Sequence, residues 1–395
     1  RSPAYLLQCG DSYGEWRPVT LQRRLPKATR VPGKAWILHV SGLATSNLWH
    51  LLHVLLPSLA ETRAVRSGPE DYTSECELLV DGLISDRQWA EGTPPIEAFR
   101  QSFAWPFLHL LAGRTPLLLG TSNPGGPSKR CFDHASWGYK GVSLFGRDKG
   151  GLSLDDARMA LDRVSCAFSS SMGTEVQVPR FGGGDHPGAQ APKWRVLLVE
   201  RRPPARRALI NSNQVMHLLQ SSFFRRRAAA VRVDFGDEVL KSDVRRQWQL
   251  ASSSNILLGA HGAGLAWSAF MAAGSVMIEL MPHMQLLHQQ LCRVRTGESM
   301  AWDQTRMYAY GGLSALAGLR HVCIIGLPTS PVSARPSLGL ELGTWWSSNV
   351  LADLEALNLT FRDALDYLDM LPSKGGLKPP SCQTKTCRDA GVEKG

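Results

Sequence analysis

The chain has 395 residues, past the size at which one hydrophobic core stops growing, so the length predicts two domains, each with its own core. With 43% hydrophobic and 20% charged residues the composition is that of an ordered globular protein, which excludes a disordered or low-complexity chain. The formal charge of +10 is compatible with a nucleic-acid surface or with pockets for phosphate-bearing small molecules; arginines gathered at 195–207, 225–232 and 245–246, without interleaved aromatics, argue against nucleic acid.

In chain order, an apolar run at residues 35–40 predicts a strand, 41–46 a turn and 47–59 a helix. A second strand is expected at 77–80. A helix at 94–111, interrupted by Trp105-Pro106, then leads to a strand at 116–119. This alternation argues for a parallel sheet covered on both faces. Residues 169–192, with Gly182-Gly-Gly184 and two later prolines, read as the interdomain loop. Strands then follow at 194–200, 229–235, 255–260 and 275–281, with helical segments at 212–224, 239–251 and 265–272 between them. A helix at 350–371 precedes a Lys/Pro-rich terminus. The expected divisions are 1–180, 193–330 and a closing segment at 331–395.

Eight cysteines, at 9, 76, 131, 166, 292, 323, 382 and 387, form no CxxC pair and no Cys/His spacing suited to zinc, so no metal site is expected. Their even number permits disulfides, Cys382 with Cys387 among them, and allows an oxidising compartment. Residues 255–281 are nearly uncharged, but His261 and Glu279 argue against a membrane span there. The sequence opens on Arg1 rather than Met, and any membrane anchor is expected ahead of it. Asn358-Leu-Thr360 is an N-glycosylation pattern that points weakly to a lumen.

The chemistry centres on His261-Gly262-Ala263-Gly264, which ends the strand at 255–260 and opens a helical segment. Such a turn lets backbone N–H groups approach a diphosphate, with His261 donating to a phosphate oxygen. Taken alone, glycines in such a turn more often serve only the backbone geometry. Glu279, near the end of the next strand, suits ribose hydroxyls. Upstream, Arg201, Arg202 and Arg206, just past a strand end, suit a diphosphate clamp, against the alternative of a solvated basic face.

The run LLGAHGAGLAWSAFMAAGSVMIEL at 257–280 closely resembles the segment typical of glycosyltransferase family 61. Val196-Leu-Leu-Val-Glu-Arg201-Arg202, followed by Arg206-Arg207-Ala-Leu-Ile-Asn211, resembles that family's arginine-ended strand with its downstream Asn. Asn47-Leu-Trp-His50-Leu-Leu-His53 resembles its Asn-x-x-His helix, which faces the interdomain cleft, and Cys131-Phe and Ser252-Ser-Ser-Asn255 match further segments. The resemblance spans roughly residues 36–285.

The resemblance implies an α/β, GT-B type fold of two Rossmann-like domains facing a cleft. It implies an inverting glycosyltransferase that moves a GlcNAc- or xylose-like sugar from a UDP-sugar to a hydroxyl of a glycan or glycoprotein. The branch that transfers N-acetylglucosamine to proteins in the endoplasmic reticulum looks most similar, and plant-type xylosyl and arabinosyl transferases share the core. Donor binding falls to Arg201, Arg202, Arg206, Asn211, His261, Gly262, Ala263, Gly264 and Glu279, and Asn47 falls on the acceptor side. The family's acidic residue beyond the His pair is replaced here by Val54 and Leu55, which leaves His50 and His53 as base candidates and an inactive nucleotide- or glycan-binding protein as the alternative. No Asp-x-Asp motif occurs, so cationic side chains are expected to replace a metal at the diphosphate, with no cofactor. The implied setting is the endoplasmic reticulum or Golgi lumen.

Overall fold

A run such as Trp194-Arg-Val-Leu-Leu-Val-Glu200, apolar at consecutive positions, suits a strand buried on both faces of a parallel sheet. The computed structural model describes residues 194–201, 207–237, 240, 243–283, 309–329 and 348–371, and before them a set of helical positions and strands. Among the expected site residues, Asn47, His50, His53, Arg202 and Arg206 lie outside the described residues, as do the loop after residue 171 and the tail after 371.

The chain divides into two compact units, residues 1–160 with 384–395, and residues 161–383. The first holds a short antiparallel ribbon, β1 (Gln8–Cys9) with β2 (Trp16–Arg17), and a four-stranded parallel sheet. That sheet is formed by β3 (Thr29–His39), β4 (Cys76–Asp81), β5 (Leu117–Leu119) and β6 (Arg130–Trp137), in the order β5-β4-β3-β6. The β3–β6 register breaks between Val31 and Lys34, across Pro32-Gly33, where proline has no N–H to give the ladder. Leu48, Leu51, Leu52, Leu55 and Leu56 are helical and fully buried, the i, i+3, i+4, i+7 stripe of the helix expected at 47–59.

Helix α1 covers Ala104–Ala112, with the Trp105-Pro106 pair in its first turn, and residues 94–103 of the helix expected at 94–111 lie outside the described residues. Proline costs little in a first turn, whose N–H groups have no intrahelical partner. β6 and helix α2 (Leu154–Ser171) were not expected from the sequence.

The second unit is a five-stranded, wholly parallel sheet. Its strands are β7 (Trp194–Glu200), β8 (Ala228–Asp234), β9 (Ile256–Ala260), β10 (Val276–Met281) and β11 (Arg320–Ile325), in the order β11-β10-β9-β7-β8. On one face, Trp194, Val196, Leu198, Ile256, Leu258, Ile278 and Ile324 pack with residues of α3 (Ser212–Leu219), α4 (Ser222–Arg225) and α7 (Leu354–Met370). The helix expected at 212–224 is thus two pieces, and the one expected at 350–371 starts at Leu354, where Asp353 caps the N–H groups of Glu355 and Ala356. α7 buries Leu357, Phe361, Leu365 and Leu368, and Asp369 accepts from Trp194 Nε1 at 2.9 Å, so this segment is part of the second core.

The other layer holds α5 (Val244–Ser252), capped by Asp243, a 3-10 helix (Ala263–Phe270) and α6 (Ala309–Ala317). The 3-10 helix replaces the helical stretch expected at 265–272. Leu265 to Phe270 are all buried, and its Trp267 donates to Gln247 Oε1 of α5 at 2.8 Å. Asn358-Leu-Thr360 lies inside α7 rather than in a surface loop, so the pattern carries no argument about compartment. Among the described residues no helix is long and apolar enough to cross a membrane.

Candidate functional site

The strand order has a consequence for ligand binding. The chain steps from β7 outward to β8, then returns across β7 to lay down β9, β10 and β11. At such a reversal the connections leave the C-terminal edge in opposite directions and open a crevice, here between the ends of β7 and β9. Arg201 follows β7 and His261-Gly262 follows β9, so sequence order alone carries both to that crevice.

Three glycines allow the two segments to meet. A Cβ at Gly259 would lie 2.7 Å from the Val199 carbonyl oxygen, and one at Gly264 2.7 Å from Val199 Cγ1. A Cβ at Gly262 would lie 2.6 Å from a terminal nitrogen of the Arg201 guanidinium. Gly262 is extended, with φ 163°, so its glycine is required by space and not by a left-handed backbone. The Arg201 head group therefore lies on the backbone of the His261-Gly262 turn. The glycine-rich motif is first a seat for an arginine, where the sequence suggested close approach of phosphate.

In-register pairing aligns Val199 with Gly259, Gly259 with Glu279, and Met277 with His321. Paired residues of parallel strands face the same side, so Glu279 and His321 share the sheet face that continues to His261. Glu279 Oε1 lies 2.5 Å from His261 Nδ1 and its Oε2 2.8 Å from His321 Nε2. The carboxyl is buried, at 4% exposure. Burial pulls its pKa upward, but the hydrogen bonds and charges of His261 and His321 outweigh this and hold it at about 2. An ionised carboxylate only accepts, so His261 presents Nδ1–H to it, and Nε2 is the ring nitrogen turned away.

Tyr310 of α6 stands edge-on to the His261 ring at 5.2 Å between centroids. Burial, reinforced by Glu279, keeps the Tyr310 hydroxyl un-ionised, against the opposing pull of Arg207 and Arg201. Two histidines thus hold one carboxylate at the switch point, with Tyr310 against the His261 ring and the charges of Arg207 and Arg201 acting on Tyr310.

The remaining expected residues divide. Ala263 and Gly264 open the 3-10 helix beside this turn. Glu279, expected to meet a ribose, instead has one oxygen on each histidine, which makes it an orienting group for His261. Asn211, expected at the nucleotide, has its amide on the backbone of Ala352: Nδ2 donates to the carbonyl and Oδ1 accepts from the N–H, both at 2.9 Å. Together with the Ile210 and Val350 backbone bonds, this ties the loop after β7 to the segment before α7. Within that loop Arg207 takes φ 61°, a left-handed conformation unusual for a side-chain-bearing residue.

Two residues were missed, His321 and Tyr310. Neither sits in a recognisable motif, and only strand register and helix packing bring them to His261. Among the described residues no cluster of His, Cys, Asp or Glu could hold a metal ion. Cys323, paired in register with Glu279, is disulfide-bonded.

Residues 48–278 match the family model described as Glycosyltransferase 61. No curated protein matches the chain. Arg201, His261 and the three glycines fall within the matched span; Glu279, Tyr310 and His321 lie beyond it.

The two kinds of glycine contact predict different phenotypes. Gly262→Ala need only displace a flexible guanidinium, so stability should fall by less than about 1 kcal/mol while ligand binding is lost. Gly259→Ala meets backbone and should cost roughly 1–3 kcal/mol. Denaturant melts of both variants test this, and equal losses would contradict it. Glu279 makes a second prediction. Its folded pKa lies below the ordinary 4.5, so its stabilisation, on the order of 3 kcal/mol, is full above pH 4.5 and fades as pH falls toward 2. The stability gap between wild type and Glu279→Gln should close over that window, and a gap independent of pH would contradict the assignment.

Proposed function

The chain belongs to glycosyltransferase family 61 and is a sugar-transferring enzyme, and from that premise we propose that its second unit binds the diphosphate of a UDP-sugar at the switch point between β7 and β9. The observation that carries the reading is the Arg201 guanidinium seated on Gly262 beside a histidine held by a buried carboxylate. A fixed cation and an oriented imidazole at this edge suit the charge that grows on a departing nucleoside diphosphate. Arg202 and Arg206, from the same loop, would add charge. His261 Nε2 would serve a phosphate oxygen, and the turn amides at Ala263 and Gly264 would assist.

In this reading the first unit supplies the acceptor side, with Asn47 near the acceptor and His50 or His53 as the base. The expected domains, 1–180 and 193–330 with a closing segment at 331–395, would then form a GT-B arrangement. The reaction is one in-line displacement. The acceptor oxygen loses its proton to the base and bonds to the anomeric carbon as the bond to the UDP oxygen breaks, which inverts that carbon. Arginines in place of a cation would make transfer metal-independent.

A GlcNAc- or xylose-like sugar and a glycan or glycoprotein hydroxyl are the substrates we favour, after the N-acetylglucosamine-transferring branch of the family. The disulfide at Cys323 supports an oxidising compartment such as the endoplasmic reticulum or Golgi lumen.

Transfer from a panel of UDP-sugars should proceed undiminished in excess chelator and give a product of opposite anomeric configuration by NMR coupling constants. Arg201→Ala should lower turnover by about 10²–10³-fold, as loss of one leaving-group contact does elsewhere. Loss of activity in chelator, or retention of configuration, would overturn the mechanism. Nucleotide binding without turnover on any acceptor would favour an inactive nucleotide-binding member.

A further inference from the structure

We propose that His321 is a positioning residue for transfer, acting through Glu279 to fix the orientation and tautomer of His261. The proposal rests on the reading of His261 as a donor-site group. His321 lies 43 residues beyond the end of the family match at residue 278, on β11, and no motif points to it.

Glu279 is on β10, between the strand that leads to His261 and the strand that carries His321, and it is buried. A carboxylate held at one oxygen can still turn about its Cγ–Cδ bond. One held at both oxygens by residues of different strands cannot. The 2.8 Å bond from His321 Nε2 to Oε2 therefore fixes the direction in which Oε1 faces His261 Nδ1.

His321 also decides the charge state. A buried carboxylate that loses one of its two donors is poorly solvated, and the proton that relieves it converts an acceptor into a donor. When that proton sits on Oε1, Glu279 donates and His261 Nδ1 accepts, which moves the imidazole hydrogen to Nε2, the nitrogen assigned to the phosphate in the donor-site reading. Removing His321 thereby inverts the hydrogen-bonding character of His261 at a distance. The groups facing this cluster are Tyr310 from α6, edge-on to the His261 ring, and Arg201 and Arg207 from the segment after β7.

The test compares His321→Gln, whose amide nitrogen keeps a donor at similar reach, with His321→Leu, which removes it. Nitrogen NMR of His261 reads the tautomer directly, and kcat/KM against pH reads its consequence. Wild type and His321→Gln should both show Nδ1–H. His321→Leu should lose it, lower kcat by about 10–100-fold and move the acid limb of the profile up by roughly 3–5 pH units, the range that burial of an unpartnered carboxyl supplies. A purely structural role predicts that His321→Leu lowers the melting temperature but keeps the tautomer and pH profile, and that result would overturn the proposal. If His321→Leu does not fold, an Nε2–H tautomer in wild-type protein would still refute it. The NMR arm needs no substrate. A lost tautomer in a protein that binds no nucleotide would uphold His321 as the positioning residue and reject the donor-site reading instead.

Discussion

The contact between β7 and the segment beginning at β9 is the constraint on which the site depends. Val199 and Arg201 press against positions 259, 262 and 264, where a Cβ would meet the Val199 carbonyl oxygen, the Arg201 guanidinium and Val199 Cγ1 at 2.6–2.7 Å. Close packing of this kind has no slack, because interiors are filled to crystal-like density. Two of the contacts lock strand to strand and turn to strand. The third seats a cation on a peptide backbone at the point where the chain reverses its winding. Move β7 outward by the width of a methyl group, and Arg201 leaves the turn, the crevice widens and the imidazole loses its charged neighbour.

Around that contact lies a buried electrostatic cluster. An ionised carboxylate inside a sheet is costly unless it is fully hydrogen-bonded, and two histidines from flanking strands meet that requirement here. The arrangement converts a stability problem into a geometric asset, since the groups that keep Glu279 ionised also hold His261 in one orientation. The same logic holds the loop after β7 in place. Asn211, the residue before α3, uses its amide on Ala352 instead of capping the helix, and so ties the arginine-bearing loop to a segment 141 residues away.

How much of this was legible in the sequence depended on the range of the interaction. The run at 194–200 reads as a strand because its burial is local and two-sided, and it is observed with those bounds. The His261 turn was legible as a site because glycines between a strand and a helical segment are conspicuous. The reason for Gly262 was not, since its partner Arg201 lies far upstream. Asn211 looked like a ligand contact because it followed arginines, and only the fold reveals its partner. β11 and His321 went unread: α6 contains Gly311 and Gly312, which obscure helical patterning, and a histidine second in a short apolar strand has no local signature.

The central claim is that the β7–β9 crevice binds a nucleoside diphosphate through Arg201 and His261. The most direct measurement is calorimetric titration of uridine, UMP and UDP into wild type, Arg201→Ala and His261→Ala. A steep rise in affinity from uridine to UDP is expected in wild type, flattened in both variants while uridine binding persists. Equal affinity for all three ligands in wild type, or a UDP affinity unchanged by either substitution, would contradict it.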